Sequence, residues 1–436
     1  MFGGNNEKGE ISGTISVTVN DAGTCTMLVG NVYGGGNQAA YGHGTNYPVV
    51  NIQNGHLTGS VFGGGLGETA VVVGNPTVNI GDWINGHSVI IGGDVFGGGD
   101  LAAVEGNPTV TIRDCGTLIN GDLYGGGNAA PVYSTNTTMW GGTVKGNVFG
   151  GGNGADPTKN PNGAQVGYDR NENKVAPTSA ITGNATLNVF GGTIGTWNGD
   201  KCTSGGGIFG GSNTKGNIAG TVNLTLDART CMESGATVCP LKIKEVYGSG
   251  NEAAYAGEGI NFNLGCVSAL SEIYGGAKNA DMNGDIHLII SSGHFNRVFG
   301  GNNIGGRING SIKVTIDETG CEPVIIDELY GCGNNAAYSV YGYNEDGTVK
   351  TSGTNPEPDP EVNIISFTHI GKVFGGGYGA GAVVAGNPTV NINVIPGKHA
   401  DDDAETYIDI SDRISGTYVL RVFGDNESLL FLVIKN

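Results

Sequence analysis

Short bursts of alternating apolar and polar residues recur along the whole chain. Each closes on an aliphatic residue, an aromatic residue and a cluster of glycines, as in Asp94-Val95-Phe96-Gly97-Gly98-Gly99. Ile15-Ser16-Val17-Thr18-Val19, Thr77-Val78-Asn79-Ile80 and Ile312-Lys313-Val314-Thr315-Ile316 alternate with period two, the pattern of a strand with one buried face. The copy from Phe62 to Phe96 predicts strands at Ala70 to Val73, Thr77 to Ile80, Ser88 to Ile91 and Asp94 to Phe96. Gly-Asn-Pro, Gly-Asp and Asn-Gly turns separate them. Several short strands per copy of about thirty residues is the signature of a solenoid. Glycine interrupts every long window, so no helix of ten or more residues is predicted.

The repeat aromatics are Phe2, Tyr33, Phe62, Phe96, Tyr124, Phe149, Phe209, Tyr247, Tyr274, Phe299, Tyr330 and Phe374, with Phe190 and Phe423 as weaker copies. Alternation lets only one residue of each aliphatic–aromatic pair point inward. The aliphatic is assigned to the core, and the aromatic to a structural ladder at the corner, stacked on its equivalents. The glycines are expected to supply positive φ where the strand turns. The predicted fold class is therefore all-β. It is a parallel β-helix (β-solenoid) of about 12–14 coils with glycine-rich corners and loop inserts over residues 1–395, and a C-terminal cap or domain boundary at 396–436.

Three kinds of copy can be told apart. The first carries Phe2 with Ile15 to Val19, and recurs at Phe209 and Phe299. The second reads Tyr33-Gly-Gly-Gly-Asn37-Gln-Ala-Ala-Tyr41; it recurs at Tyr247 to Tyr255 and Tyr330 to Tyr338, and loosely at Tyr124 to Tyr133. The third carries Gly74-Asn75-Pro76-Thr77-Val78-Asn79-Ile80, and recurs from Gly106 and Gly386. The order first, second, third appears at Phe2, Tyr33, Phe62 and again at Phe299, Tyr330, Phe374, as if blocks had been duplicated. Polar inserts run from Asn153 to Ala180 and from Ser339 to Pro360. Loops on a rigid scaffold are where binding most often sits. A last strand is expected at Leu429 to Ile434.

Composition sharpens this picture. Glycine is 83 of 436 residues, charged residues are 14%, and the net charge is −19. That charge argues against nucleic acid as a partner, since phosphate binding needs clustered Lys and Arg, and it permits divalent cations. No apolar window is long enough to span a membrane, so no membrane insertion by this segment is expected. No signal peptide precedes the repeats, and the chain reads as a piece of a longer array.

Candidate chemistry is sparse. Arginine and aspartate are not grouped on the repeats as a sugar-cleaving site needs, and the Asp402-Asp403 pair lies outside them. No catalytic residue and no cofactor are assigned. Asp281, Asn283 and Asp285 have the spacing of a calcium loop but lack the residues that complete one. They are the metal candidates, for Ca²⁺. His56 and His87 each follow an Asn-Gly turn about one copy apart, where two stacked imidazoles could hold a metal; the turn reading is preferred. Tyr41, Tyr133, Tyr255 and Tyr338, with Trp140 and Trp197, are the ligand-binding candidates as an aromatic face for sugar rings; packing of each Ala-Ala-Tyr loop on its own copy is the plainer reading. The eight cysteines form no C-x-x-C pair, so zinc is not expected, and they read as small buried residues ahead of disulfides.

The Val-Phe/Tyr-Gly-Gly-Gly copies resemble those of bacterial glycine-rich repeat cell-surface proteins, β-helices in the style of adhesins and autotransporter passengers. The resemblance spans residues 2 to about 395. It implies an extracellular or cell-surface location, and a host or bacterial surface glycan or protein as partner. The expected function is a non-catalytic structural or adhesive stalk, binding through its loop inserts. The alternative is a carbohydrate-active β-helix enzyme, a polysaccharide lyase or glycoside hydrolase.

Overall fold

A computed structural model describes residues 1–21, 27–42, 47–84, 86–156, 158–228, 241–319 and 322–392, and the backbone of strands Gly416–Phe423 and Ser428–Lys435. Every named element is a β-strand, and no helix among the described residues is long and apolar enough to cross a membrane. The chain divides into two compact units. The first holds Met1–Leu224, Thr230–Lys244 and Gly250–Gly257; the second holds Thr225–Arg229, Glu245–Ser249 and Glu258–Asn436.

In the first unit each copy is joined in parallel to the next at several points. The aromatic strands Val32–Tyr33, Val61–Phe62, Val95–Phe96, Leu123–Tyr124, Val148–Phe149 and Gly207–Phe209 pair in register, aromatic opposite aromatic. A second ribbon joins Ser16–Asn20, Val49–Leu57, Thr77–Ile80, Thr109–Ile112, Thr135–Met139 and Ala185–Val189. A third passes through Ile91, Ile119, Val144 and Ile194. A fourth is a line of bridges through Tyr41, Val72, Val104, Val132, Val166 and Ile218. Inward residues of every ribbon are buried: Val95, Val110, Ile112 and Ile119 are all fully enclosed. Long parallel sheets built from one short strand per copy are what a β-helix requires.

The second unit uses longer aromatic strands, with Ala269–Tyr274, Gly293–Phe299, Val324–Tyr330 and His369–Phe374 in register. Gly259–Leu264, Asp285–Ile290, Ile312–Asp317, Glu361–Ser366 and Thr389–Ile392 form its parallel counterpart. Gly416–Phe423 pairs in parallel with the last of these, and antiparallel with Ser428–Lys435, so the predicted final strand is present. Residues 393–415, where the 395/396 boundary and the acidic pair were expected, lie outside the described residues.

Within each unit the rings stack face to face. In the first unit Phe2, Tyr33, Phe62, Phe96, Tyr124, Phe149 and Phe209 lie 4.8–4.9 Å apart and tilt by no more than 10°. In the second, Tyr247, Tyr274, Phe299, Tyr330 and Phe374 repeat the arrangement at 4.8–5.0 Å. Except at the end rings Phe2 and Phe374, both members of the pair are buried, Val95 at 0% and Phe96 at 2% exposure. Strand alternation alone does not give this. The aromatic is enclosed by the rings above and below, and Phe2, with one covered face, is 40% exposed. Phe190 is not in the ladder; its ring lies 4.7 Å from that of Trp140, tilted by 44°.

The glycine triplets correct one expectation. Gly97, Gly98 and Gly99 are not in the left-handed region. They are glycine because the copies touch: a Cβ on Gly97 would sit 2.3 Å from the Gly125 carbonyl oxygen. Distance, not torsion, selects the residue.

Candidate functional site

Polar residues concentrate beside the ladders, so the chemistry there comes first. Two positions before each aromatic of the first unit, the chain leaves a glycine and its N–H has no backbone acceptor in line. The same position of the preceding copy supplies one. Asn31 Oδ1 accepts from the Ser60 N–H at 2.8 Å, Ser60 Oγ from Asp94 at 2.9 Å, Asp94 Oδ1 from Asp122 at 2.8 Å, Asp122 Oδ1 from Asn147 at 2.7 Å, and Asn147 Oδ1 from Gly207 at 3.0 Å. Four positions after the aromatic, amides form a second file: Asn128 donates to Asp100, Asn153 to Asn128, Asn213 to Asn153 and Asn251 to Asn213, at 2.7–3.0 Å.

In the second unit the strand runs through the first of these positions. Glu272, Arg297, Glu328 and Lys372 align there and alternate in sign. Arg297 pairs with Glu272, and Lys372 lies 3.7 Å from Glu328. Carboxylates also receive the ladder hydroxyls: Tyr124 donates to Asp122 at 2.9 Å, Tyr274 to Glu272 at 2.8 Å and Tyr330 to Glu328 at 2.9 Å. Burial first, and these carboxylates with it, push the three phenols well above their ordinary pKa. They stay protonated as donors. Asp94, Asp122, Glu272 and Glu328 are thus engaged in joining copies and fixing rings.

The structure separates the ligand-binding candidates. Tyr41, Tyr255 and Tyr338 are buried at 4%, 3% and 1% exposure, which corrects their assignment to an aromatic face for sugar. Each hydroxyl instead donates to a glycine carbonyl of the preceding copy: Tyr41 to Gly13 at 2.7 Å, Tyr255 to Gly220 at 2.8 Å, Tyr338 to Gly310 at 2.9 Å. These glycines sit in Ile11-Ser-Gly-Thr14, Ile218-Ala-Gly-Thr221 and Ile308-Asn-Gly-Ser311, which belong to the first kind of copy. The shared motif was the available signal for this latch. Tyr133 follows a third-kind copy; only its backbone N–H meets Gly106, at 2.9 Å, and its ring stays partly exposed. Burial, then Glu105 and Asp169, raises its phenol pKa.

Trp197 lies on a small antiparallel hairpin, Thr196–Asn198 with Lys201–Ser204, and Lys242 Nζ sits 4.6 Å from its ring centre. Trp140 stands on the outer face of the first unit's second ribbon. Successive outward residues form files there: Thr18, Asn51, Asn79, Thr111, Thr138 and Asn188 in one, and Gly81, Arg113, Trp140 and Phe190 next to it. Asn79 donates to Asn51 Oδ1, and Arg113 Nη2 to Asn79 Oδ1, both at 2.9 Å.

Both inserts fold back on their own unit through a short hairpin. One closes by an antiparallel bridge between Tyr168 and Lys174, the other between Tyr343 and Val349. Asn217 donates to the Tyr168 hydroxyl at 2.7 Å, and the Tyr343 hydroxyl accepts the Ile308 N–H at 3.0 Å. Arg170 of the first hairpin grips Glu105 with Nε at 2.5 Å and Nη2 at 3.1 Å. Beneath it a cleft of about 180 Å³ is floored by Leu101, Ala129 and Pro131 and edged by Glu68, Lys159 and Glu172. That is smaller than the ~300–1,000 Å³ of ordinary small-molecule sites.

The calcium candidates face the next copy. Asp281 Oδ1 accepts from the Arg307 N–H at 2.8 Å, Asn283 Oδ1 from Asn309 Nδ2 at 2.9 Å, and Asp285 Oδ1 from Ser311 N at 2.8 Å. Among the described residues no group of three His, Cys, Asp or Glu is arranged to hold a metal. His56 aligns with Ile90, not His87, and His87 pairs with Asp82 at 2.9 Å. Cys115 and Cys266 are disulfide-bonded, against the expectation of buried thiols; Cys202 and Cys332 are free. Cys25, Cys231, Cys239 and Cys321 lie outside the described residues. Searches of protein-family models, of curated proteins and of solved structures find no match to the chain.

Proposed function

We propose that the copies are the coils of a parallel β-helix, about 12–14 in number, with glycine-rich corners, and that the chain is a non-catalytic structural or adhesive segment of a large bacterial surface protein. The observation that carries this reading is the use of the acidic and amide side chains. From Asn31 to Asn147 and from Asp281 to Asp285 they receive hydrogen bonds from the following copy. Groups spent on stacking suit a spacer. The disulfides at Cys115 and Cys266 support an oxidising, extracytoplasmic setting. The two hairpins, pinned by Tyr168 and Tyr343, supply loops that are ordered before they meet a surface glycan or protein, which lowers the cost of recognition.

The test is binding of the purified chain to arrays of surface glycans and proteins, with and without residues 168–174 and 343–349. Loss of binding to an array partner on deleting both hairpins, with an unchanged circular dichroism spectrum, is the expected result. Release of reducing or unsaturated sugar from pectin, alginate or host glycans by the intact chain would overturn the non-catalytic reading in favour of a carbohydrate-active enzyme.

A further inference from the structure

We propose that the outer face of the second ribbon in the first unit is a docking face for a neutral polysaccharide, laid across the copies and seated on Trp140 and Phe190. The proposal deepens the non-catalytic recognition reading and adds a surface separate from the hairpins.

Three observations carry it. First, the file Thr18, Asn51, Asn79, Thr111, Thr138, Asn188 places one hydroxyl or carboxamide on every copy, in register over six strands. The rise per copy is the 4.8 Å of the ring ladder. A glycan chain running along the stacking direction therefore meets a polar group at each step. Second, the neighbouring file carries Trp140 and Phe190, their ring centres 4.7 Å apart and tilted by 44°, and both residues are partly exposed. Flat apolar rings beside hydroxyls and amides match the two kinds of surface a pyranose presents, its C–H face and its hydroxyl edge. Third, the charge is selective. The chain carries −19 overall, yet the polar file holds no carboxylate. The Arg113 cation beside it is already tied to Asn79 Oδ1. An anionic polymer would be repelled by the chain as a whole and would find no concentrated positive charge here. A neutral polymer meets no such repulsion.

The experiment is affinity electrophoresis of the intact chain in native gels cast with glucomannan, with mixed-linkage β-glucan or with polygalacturonate. The expected result is retardation by a neutral polymer and none by polygalacturonate. Trp140→Ala combined with Phe190→Ala should weaken it by about tenfold, the size of one lost ring contact. Thr111→Glu with Thr138→Glu, which keeps both rings and changes only partly exposed side chains, should weaken it as much. Removal of residues 168–174 should leave it unchanged. Circular dichroism and melting of each variant show that it is folded. No retardation by either neutral polymer, stronger retardation by polygalacturonate, or retardation insensitive to both face variants would overturn the proposal. Sensitivity to hairpin deletion alone would sink the face and leave the hairpin reading standing. Sugar released in the same gels would instead sink the non-catalytic reading, whatever the face does.

Discussion

Asp94 is followed two positions on by a phenylalanine, where Asp122, Glu272 and Glu328 are followed by a tyrosine whose hydroxyl they hold. Burial raises its pKa above 3.8; the Asp122 N–H works against this and the Asp122 charge adds to it. The folded chain then holds that proton more tightly than the unfolded one, so its contribution to stability falls as pH climbs from the ordinary carboxylate value through the raised one. Asp94→Asn keeps an oxygen for the Asp122 N–H. It should melt at or above the parent at pH 7, with the difference gone at pH 3; a lower melting point at pH 7 would refute this account. Val95→Asp buries an unpaired charge, costs several kcal/mol and should abolish folding. Phe96→Leu gives up two stacked faces, each about 0.5–1.5 kcal/mol, so denaturant midpoints should show a milder loss of about 1–3 kcal/mol. Tyr338→Phe strips the Gly310 carbonyl of its donor and should cost about 1–2 kcal/mol, whereas Tyr133→Phe should cost little. Cys202 should react with a thiol reagent in the native state. Cys332, fully enclosed and pushed up to about 12 by burial, should react only after unfolding. The aliphatic and aromatic positions were legible because their pattern repeats. The use of the Tyr41, Tyr255 and Tyr338 hydroxyls was not, since the partner glycine lies some thirty residues away in a differently patterned copy.

At the level of the element, glycine marks where copies touch. Gly97→Ala would press a methyl against the Gly125 carbonyl, and neither backbone can yield without moving its neighbours. It should lower stability by about 1–3 kcal/mol or more. Gly13→Ala is the control, because nothing lies within 4 Å of its added Cβ. Equal melting shifts for the two would contradict contact as the reason for the triplets. Strand positions such as Thr77–Ile80 were readable from alternation alone. Two-residue strands such as Val95–Phe96 were readable only through repetition, being too short to show a period. The hairpins inside the inserts were hidden, because Tyr168 and Tyr343 are anchored by distant residues, Asn217 and Ile308, and not by a local turn motif alone.

For the whole molecule, the strands that make up every named element among the described residues predict a far-UV circular dichroism spectrum with less than about a tenth helix, where an ordinary domain carries about a third. A larger helical signal would be incompatible with the parallel ribbons. Sheet content and repeat order were legible because glycine, alternation and turn residues agree at every copy. The candidate sites were less so. A tyrosine eight or nine residues after the repeat aromatic is buried in Ala-Ala-Tyr, as at Tyr255, but partly exposed in Ala129-Ala130-Pro131-Val132-Tyr133. Val132, not Tyr133, takes the register position of Tyr41, and the three latched tyrosines all depend on a first-kind copy before them.

That dependence reaches into how such a gene can lengthen. The tyrosine of a second-kind copy reaches for a carbonyl that the first kind presents, at Gly13, Gly220 and Gly310. A crossover between the two would strand a buried hydroxyl on one side of the junction and a carbonyl on the other. A crossover after the second kind leaves the pair intact. The inherited module is therefore a couple of unlike copies, and the breakpoints open to duplication fall between couples.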